Sequence, residues 1–328
     1  MPKIALHRLI LPLLLSLPFI SSSGAADYPV RPVHVIVPYA AAGTMDIASR
    51  ILFQKVAELL GQPFVVDNRP GAGGNIGLEQ VVNSSPDGYT LGVADPMTSL
   101  SANVSLMPEV AFNPVKDLVP VANFGSTGVA VIVPASLSVK SLPEFIELAK
   151  SKPGQLLYGS TGNGSPGHLN GELFCRLVGI KAVHVPYRVG SQGTTDLLMG
   201  RVQFWLAQIP TRLQEVRRGE LRALAVAGTE RSADLPDVPT VKELGYGDFD
   251  ASSDYTVYVP AGVSASVVNT LFAAIKAALQ DQIVVGKLHA AGLEPKLLTS
   301  EAATKVLNDQ IARWAQLIAE ANIRITNP

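Results

Sequence analysis

Pro38-Tyr39-Ala40-Ala41-Ala42-Gly43-Thr44-Met45-Asp46 joins an apolar β-type run, Val33–Val37, to an amphipathic helical pattern over Thr44–Leu60. Ile47, Ile51, Leu52, Val56, Leu59 and Leu60 fall on one stripe of that helix, and Gly61 supplies a left-handed C-terminal residue. The turn itself carries few bulky side chains. A ligand can therefore approach the unpaired N–H groups of the helix's first turn, where the helix dipole favours negative charge. The pattern recurs at Tyr158-Gly159-Ser160-Thr161-Gly162-Asn163-Gly164-Ser165-Pro166-Gly167-His168, which again leads from an apolar run into a helix through small and hydroxyl residues. Two such turns predict a cleft with an anion-seeking wall on each side.

Working outward, short β-rich runs alternate with helical patterns. They fall at 33–37, 64–66, 90–94, 129–133, 156–158, 183–185, 202–206 and 221–226. Such alternation predicts parallel sheets with helices on their faces. The last third turns helical over 264–280 and 300–321, with Gly292 and Pro295 between, and no internal repeat is visible. At the N-terminus, Lys3, His7 and Arg8 precede an apolar run at 9–20, broken by Pro12 and Pro18, and small residues lead up to Ala26. That run is about a dozen residues long, against the roughly 20 that a spanning helix needs, so 1–26 reads as an export signal and not as an anchor. A mature chain of about 300 residues has room for two domains of ordinary size.

Several function classes fail on the residues. A formal net charge of −1 gives no basic surface for nucleic acid or anionic membrane. Cys175 is the single cysteine, which excludes an intramolecular disulfide, and it sits in a helical pattern as a buried, inert thiol. Gly162-Asn163-Gly164-Ser165-Pro166-Gly167 matches a dinucleotide-binding pattern, yet the strand after its helix runs into Pro186-Tyr187-Arg188 without an acidic residue for a ribose. Asn163-Gly164-Ser165-Pro166-Gly167 misses a nucleophile elbow by its first residue. His168 and His184 lack the spacing for a metal site, and no cofactor is expected. His168 is read two ways: as a donor to a ligand, or as a helix-start histidine bonded to its own backbone. Asp46 likewise either contacts ligand or offsets the dipole of the first helical turn. Pro70-Gly71-Ala72-Gly73-Gly74-Asn75 lacks the Lys and Ser/Thr of a P-loop, but its glycines, Gly74 among them, allow close backbone approach.

Longer motifs carry a family likeness. Tyr28-Pro29-Val30-Arg31-Pro32, Val35-Ile36-Val37-Pro38-Tyr39, Gly43-Thr44-Met45-Asp46, the run from Gly61-Gln62-Pro63 through Asn75-Ile76-Gly77, and Pro86-Asp87-Gly88-Tyr89 resemble the Bug-type substrate-binding proteins of tripartite tricarboxylate transporters. Val185-Pro186-Tyr187-Arg188, Leu235-Pro236-Asp237-Val238-Pro239-Thr240 and Pro260-Ala261-Gly262 extend the resemblance over nearly the whole mature chain. It implies an α/β fold of the periplasmic binding protein type II kind, with two α/β lobes of parallel-rich sheets joined by two crossing segments. It also implies a Venus-flytrap receptor, without enzymatic activity, that closes on a small organic acid and passes it to membrane permease subunits. Lobe one is expected at 27–125 plus 254–328 and lobe two at 126–253, in a monomeric periplasmic protein without nucleic-acid partners or membrane insertion after signal cleavage.

Carried over residue by residue, the resemblance points to Tyr39, Ala40, Ala41, Ala42, Gly43, Thr44 and Asp46 in the first turn. In the second lobe it points to Ser160, Thr161, Gly162, Asn163, Gly164, Ser165 and His168, and then to Tyr187, Gly190 and Ser191. The chain departs from the family where Ala42-Gly43 replaces a usual Gly-Gly pair, where Ala207-Gln208 replaces an acidic residue and asparagine, and where Asp254-Tyr255-Thr256 replaces a Trp-containing segment. Ala42 is expected to restrict φ while leaving its N–H free. Gln208 and Asp254 join the candidate pocket, and Asp254 in a carboxylate site would repel ligand unless protonated or facing a polar group. An exported sensor of the same fold that recognises a less anionic molecule is the alternative reading.

Overall fold

The structure, a computed structural model, describes residues 28–106, 110–187 and 190–321; the export signal expected at 1–26 lies outside them. In chain order the first part contains β1 (Val33–Val37), α1 (Thr44–Leu60), β2 (Phe64–Asn68), α2 (Asn75–Val82), β3 (Thr90–Ala94), α3 (Asn103–Leu106), α4 (Pro114–Asp117) and β4 (Leu118–Thr127). The middle holds β5 (Val129–Pro134), α5 (Leu142–Ser151), β6 (Leu156–Ser160), α6 (Pro166–Val178), β7 (Ala182–Pro186), α7 (Gly190–Leu198), β8 (Phe204–Gln208), α8 (Leu213–Arg217) and β9 (Leu221–Val226). The chain then returns through β10 (Ser253–Pro260) to α9 (Ala265–Ala278), α10 (Gln282–Ala290) and α11 (Ser300–Ala321).

Two five-stranded sheets result, ordered β2-β1-β3-β10-β4 and β7-β6-β8-β5-β9. In each, three neighbouring strands are parallel, as expected of β-α-β crossovers. The sheets are parallel-rich, as expected, and each also carries a reversed strand that the alternation of β runs and helices does not announce. β10 pairs antiparallel with both β3 and β4, and β5 pairs antiparallel with both β8 and β9. The reversed strands are the two that enter each sheet from the other lobe, β5 directly after Gly128 and β10 after residues 227–252. A strand arriving from a neighbouring body needs no helix to turn it round, so nothing forces it parallel.

Each sheet buries an aliphatic core under its helices. Val33, Val35, Val37, Leu91, Val93 and Val257 pack with Leu52, Phe53 and Val56 of α1 and with Leu271 and Ile275 of α9. Val131, Val133, Phe204 and Leu206 pack with Phe145 and Ile146 of α5 and with Phe174 of α6. A smaller cluster joins the two units. Met97, Ala102 and Leu106 meet Leu169 of α6 around Trp314 and Ile318 of α11. Arg176 of α6 pairs with Glu320 of α11 at 2.5 Å beside it. No helix among the described residues is long and apolar enough to cross a membrane.

Candidate functional site

Between the sheets lies a cavity of about 700 Å³. Its walls come mainly from loops that follow the C-terminal ends of parallel strands, where open α/β sheets place their ligand crevices. Tyr39, Ala40, Gly43, Thr44 and Asp46 follow β1, Gly73 follows β2 and Asp95 follows β3. From the other sheet, Thr161, Asn163, Gly164 and Ser165 follow β6, Gly190 and Ser191 follow β7, and Gln208 ends β8.

The lobe-one turn is fixed by a charged network. The Asp46 carboxylate accepts the Ala42 N–H at 2.8 Å and the Arg50 Nε–H at 2.9 Å. Arg50 also donates to Asn68 Oδ1, and Asn68 donates to the Tyr39 carbonyl at 3.1 Å. Burial works to raise the Asp46 carboxyl, but hydrogen bonds from Arg50, the Ala42 N–H and Asn68 outweigh it and hold the group below the usual carboxylate range. The expectation of a free Ala42 N–H is thus corrected. Ala42 adopts φ +63°, a left-handed conformation that a residue with a Cβ takes at a cost, and the carboxylate bond holds it there. Ala42 lines a smaller neighbouring pocket with Ile47 and Pro210 and not the main cavity. No side chain caps the first turn of α1, whose N-cap is Gly43. The dipole end stays open toward the cavity.

The lobe-two turn is built from neutral groups. Gly162 and Gly164 have φ of +126° and +73°, Ser165 caps α6 by accepting the His168 N–H, and Pro166 occupies the first helical position. His168 Nδ1 accepts the Gly164 N–H at 3.0 Å, so the imidazole is neutral and supports the turn from behind. His168 stacks on His184, with ring centroids 3.9 Å apart and planes 16° apart. His184 Nε2 contacts Ser160 Oγ at 2.6 Å, and that hydroxyl donates to the Gly162 carbonyl. Burial lowers the pKa of His168; burial and the neighbouring His168 push His184 down to about 3.

Several residues singled out from sequence do not line the cavity, each for a physical reason. Ser160 and His168 are buried behind the second turn in these bonds. Gly162 is part of the same turn, and in the first turn Ala40 and Gly43 line the cavity while Ala41 and Ala42 between them do not. Gly74 lies under Pro38 and Ser99, and its neighbour Gly73 is the one that reaches the cavity. Tyr187 is buried against Trp205, with its hydroxyl on Asp196. Asp254 sits on β10, where successive side chains alternate in direction, and Tyr255 takes the cavity side. Burial pushes the Asp254 carboxyl up to about 6 against the opposing charge of Lys296, and its Oδ1 has no hydrogen-bond partner.

Sequence reasoning passed over Asp95, Trp205, Thr211, Arg212 and Tyr255, all on the cavity wall. Asp95 directly follows a recognised β run, and Thr211 and Arg212 lie a few residues beyond another. The rule that crevices form beyond carboxyl ends of strands would have flagged them. Among the described residues no cluster of three or more His, Cys, Asp or Glu side chains forms a metal site.

Two α/β lobes with a cavity between them at their strand ends define a solute receptor of the periplasmic binding protein type. The chain belongs to the family described as tripartite tricarboxylate transporter family receptor, whose profile matches residues 48–323. It is 35% identical over 313 residues to protein BugT of Bordetella pertussis, covering 94% of this chain and 96% of BugT. Rpa4515 of R. palustris, solved with adipate, superimposes with a TM-score of 0.80 at 32% identity, covering 91% of this chain and 99% of that one. MatC from Rhodopseudomonas palustris, solved with bound malate, gives 0.77 at 30% identity, covering 89% and 100%. The family consists of periplasmic solute-binding receptors and not of enzymes.

Proposed function

We propose that the protein captures a small organic acid reversibly in the cavity between its lobes and delivers it to the permease subunits of a tripartite tricarboxylate-type transporter. The observation that carries this reading is the convergence of two turns on one cavity. The uncapped start of α1 faces it from one lobe, and Thr161, Asn163, Gly164 and Ser165 of the turn before α6 face it from the other. Backbone N–H groups at helix starts, with the hydroxyls of Thr44, Thr161 and Ser165, bind a carboxylate without a dedicated cation, directly or through ordered water. Adipate and malate in two relatives supply the ligand class. In this reading Thr44, Asn163, Gly164, Ser165, Gly190 and Ser191 touch the ligand, and the protein works as a monomer in the periplasm after loss of residues 1–26.

A thermal-shift screen with adipate, malate and shorter mono- and dicarboxylates tests it. A ligand at 100 times its Kd adds about 2.7 kcal/mol of stability, enough for a clear rise in Tm. No rise with any carboxylate, together with a rise for a neutral analogue, contradicts the reading. Delivery is tested separately, by loss of uptake of the stabilising acid when the gene is deleted.

A further inference from the structure

We propose that Arg212 selects the ligand by pairing with a second anionic group, so that the receptor prefers a diacid over the monoacid of the same chain length. The proposal rests on the carboxylate-receptor reading and adds to it the number of charges on the ligand.

Arg212 lies between the short turn Ile209–Thr211 and α8, beyond the end of β8, and lines the same cavity as the two anion-seeking turns. It is the one Lys or Arg among the described residues of the cavity wall. The acidic residues there do not engage it. Asp46 is held by Arg50 and the Ala42 N–H, and Asp95 Oδ1 accepts the Met97 N–H at 2.8 Å. Glu215 reaches Arg212 only through its field and makes no ion pair with it. Nη1 of Arg212 donates to the Thr211 carbonyl at 2.7 Å, whereas Nε is buried without a hydrogen-bond partner. A guanidinium stays protonated at any ordinary pH, so this half-buried cation, with its Nε–H unpaired, gains from an anion on its cavity side.

The side chain is also held in place. Its Cζ lies 5.5 Å from the Trp205 ring centre, and Trp205 stacks on Tyr187 at 5.8 Å and 22°. Trp205 itself has no room to shift. A Cβ built at Gly159 or Gly193 would come within 2.4 Å or 2.7 Å of its ring. The guanidinium thus sits within cation–π range of a fixed aromatic ring, which favours a constant position for two-pronged recognition of a carboxylate. One carboxylate on the turns and a second on Arg212 satisfy both features of the cavity at once.

The test is calorimetric titration of three matched pairs, succinate with butanoate, glutarate with pentanoate and adipate with hexanoate, into wild type, Arg212→Gln and Arg212→Lys. Circular dichroism confirms that the variants fold. Wild type is expected to bind at least one diacid about tenfold or more tighter than its monoacid partner. Arg212→Gln is expected to weaken the diacid several-fold more than the monoacid, so that the ratio falls toward one, and Arg212→Lys to keep part of it. Equal affinities within every pair in wild type overturn the assignment alone. An equal weakening of both members in Arg212→Gln also overturns it, since that is the signature of a merely structural arginine. If wild type binds no carboxylate of either series, the receptor reading fails and the Arg212 assignment fails with it.

Discussion

The two turns that face each other across the cavity reach similar shapes by different chemistry. The lobe-one turn has an alanine at φ +63° and fixes it with the buried Asp46 carboxylate, itself paired with Arg50. The lobe-two turn uses glycines at positive φ, a serine cap and a neutral imidazole that accepts the Gly164 N–H. Charge in the first wall is spent internally, so neither turn presents a net charge to the cavity. A strongly charged wall would hold an anion too tightly for release, and the difference shows two routes to a neutral wall of N–H donors.

The comparison breaks most sharply if charge is placed on the neutral wall. Ser165→Asp should keep the fold, since aspartate is as good an N-cap as serine. Its carboxylate would sit in the cavity beside the ligand. Carboxylate affinity should fall at least about 100-fold, near 3 kcal/mol, in calorimetry at neutral pH. Undiminished affinity would move the site away from the second turn.

A third carboxylate calibrates the first two walls because it lies outside both. Asp254 is half-buried, its Oδ1 is buried and unpaired, and its pKa is raised to about 6. The folded chain therefore holds more protons than the unfolded chain between about 4 and 6, and stability falls as pH rises through that window. Asp254→Asn should stabilise the protein by about 2 kcal/mol at pH 8 in urea unfolding, and change little below pH 4. Carboxylate affinity should stay the same in the variant; a change would return Asp254 to the cavity.

Acid should separate the two turns. His168 and His184 have folded pKa values below 6.5, so between 6.5 and about 3 the unfolded chain binds more protons and stability falls as pH falls. Asp46 is depressed below 3.8, so its contribution is present above 3.8 and lost only as pH falls through the folded value. Measured in the Asp254→Asn background, where the opposing titration is gone, Tm should drop from pH 7 to pH 5. His184→Asn should flatten that drop, and an unaltered slope would detach the histidine pair from the acid response.

The smallest effects test the backbone of each turn. Ala42→Gly should stabilise the protein by up to about 1 kcal/mol, because relief at φ +63° slightly exceeds the entropy that glycine loses. Gly164→Ala, at φ +73°, should destabilise it by about 1 kcal/mol. The same sign in both substitutions would erase the contrast.

Both turns were legible because they are local: a β run, small residues and a 3.6-period stripe occupy one short stretch of chain. What was not legible depends on placement. β4 and β10 were missed as strands, and the reversed direction of β5 and β10 follows from the lobe crossings, which no local pattern records. Asp254 was placed in the cavity and Tyr255 passed over by a shift of one residue, and in a strand one residue exchanges the two faces. His168 carried two readings, and only the position of Gly164 selects its role behind the turn. Arg212 follows β8 by a few residues, and its meaning emerges once Trp205, Tyr187 and the cavity are brought together.

The most direct test of the central claim is a crystal structure with a carboxylate that raises the Tm. The account predicts one carboxylate group between the lobes, with oxygens about 2.7 to 3.2 Å from backbone nitrogens or hydroxyls of both the 43–46 turn and the 161–165 turn, or joined to them by a single water. A carboxylate held by one turn alone, or bound outside the cavity, would contradict it.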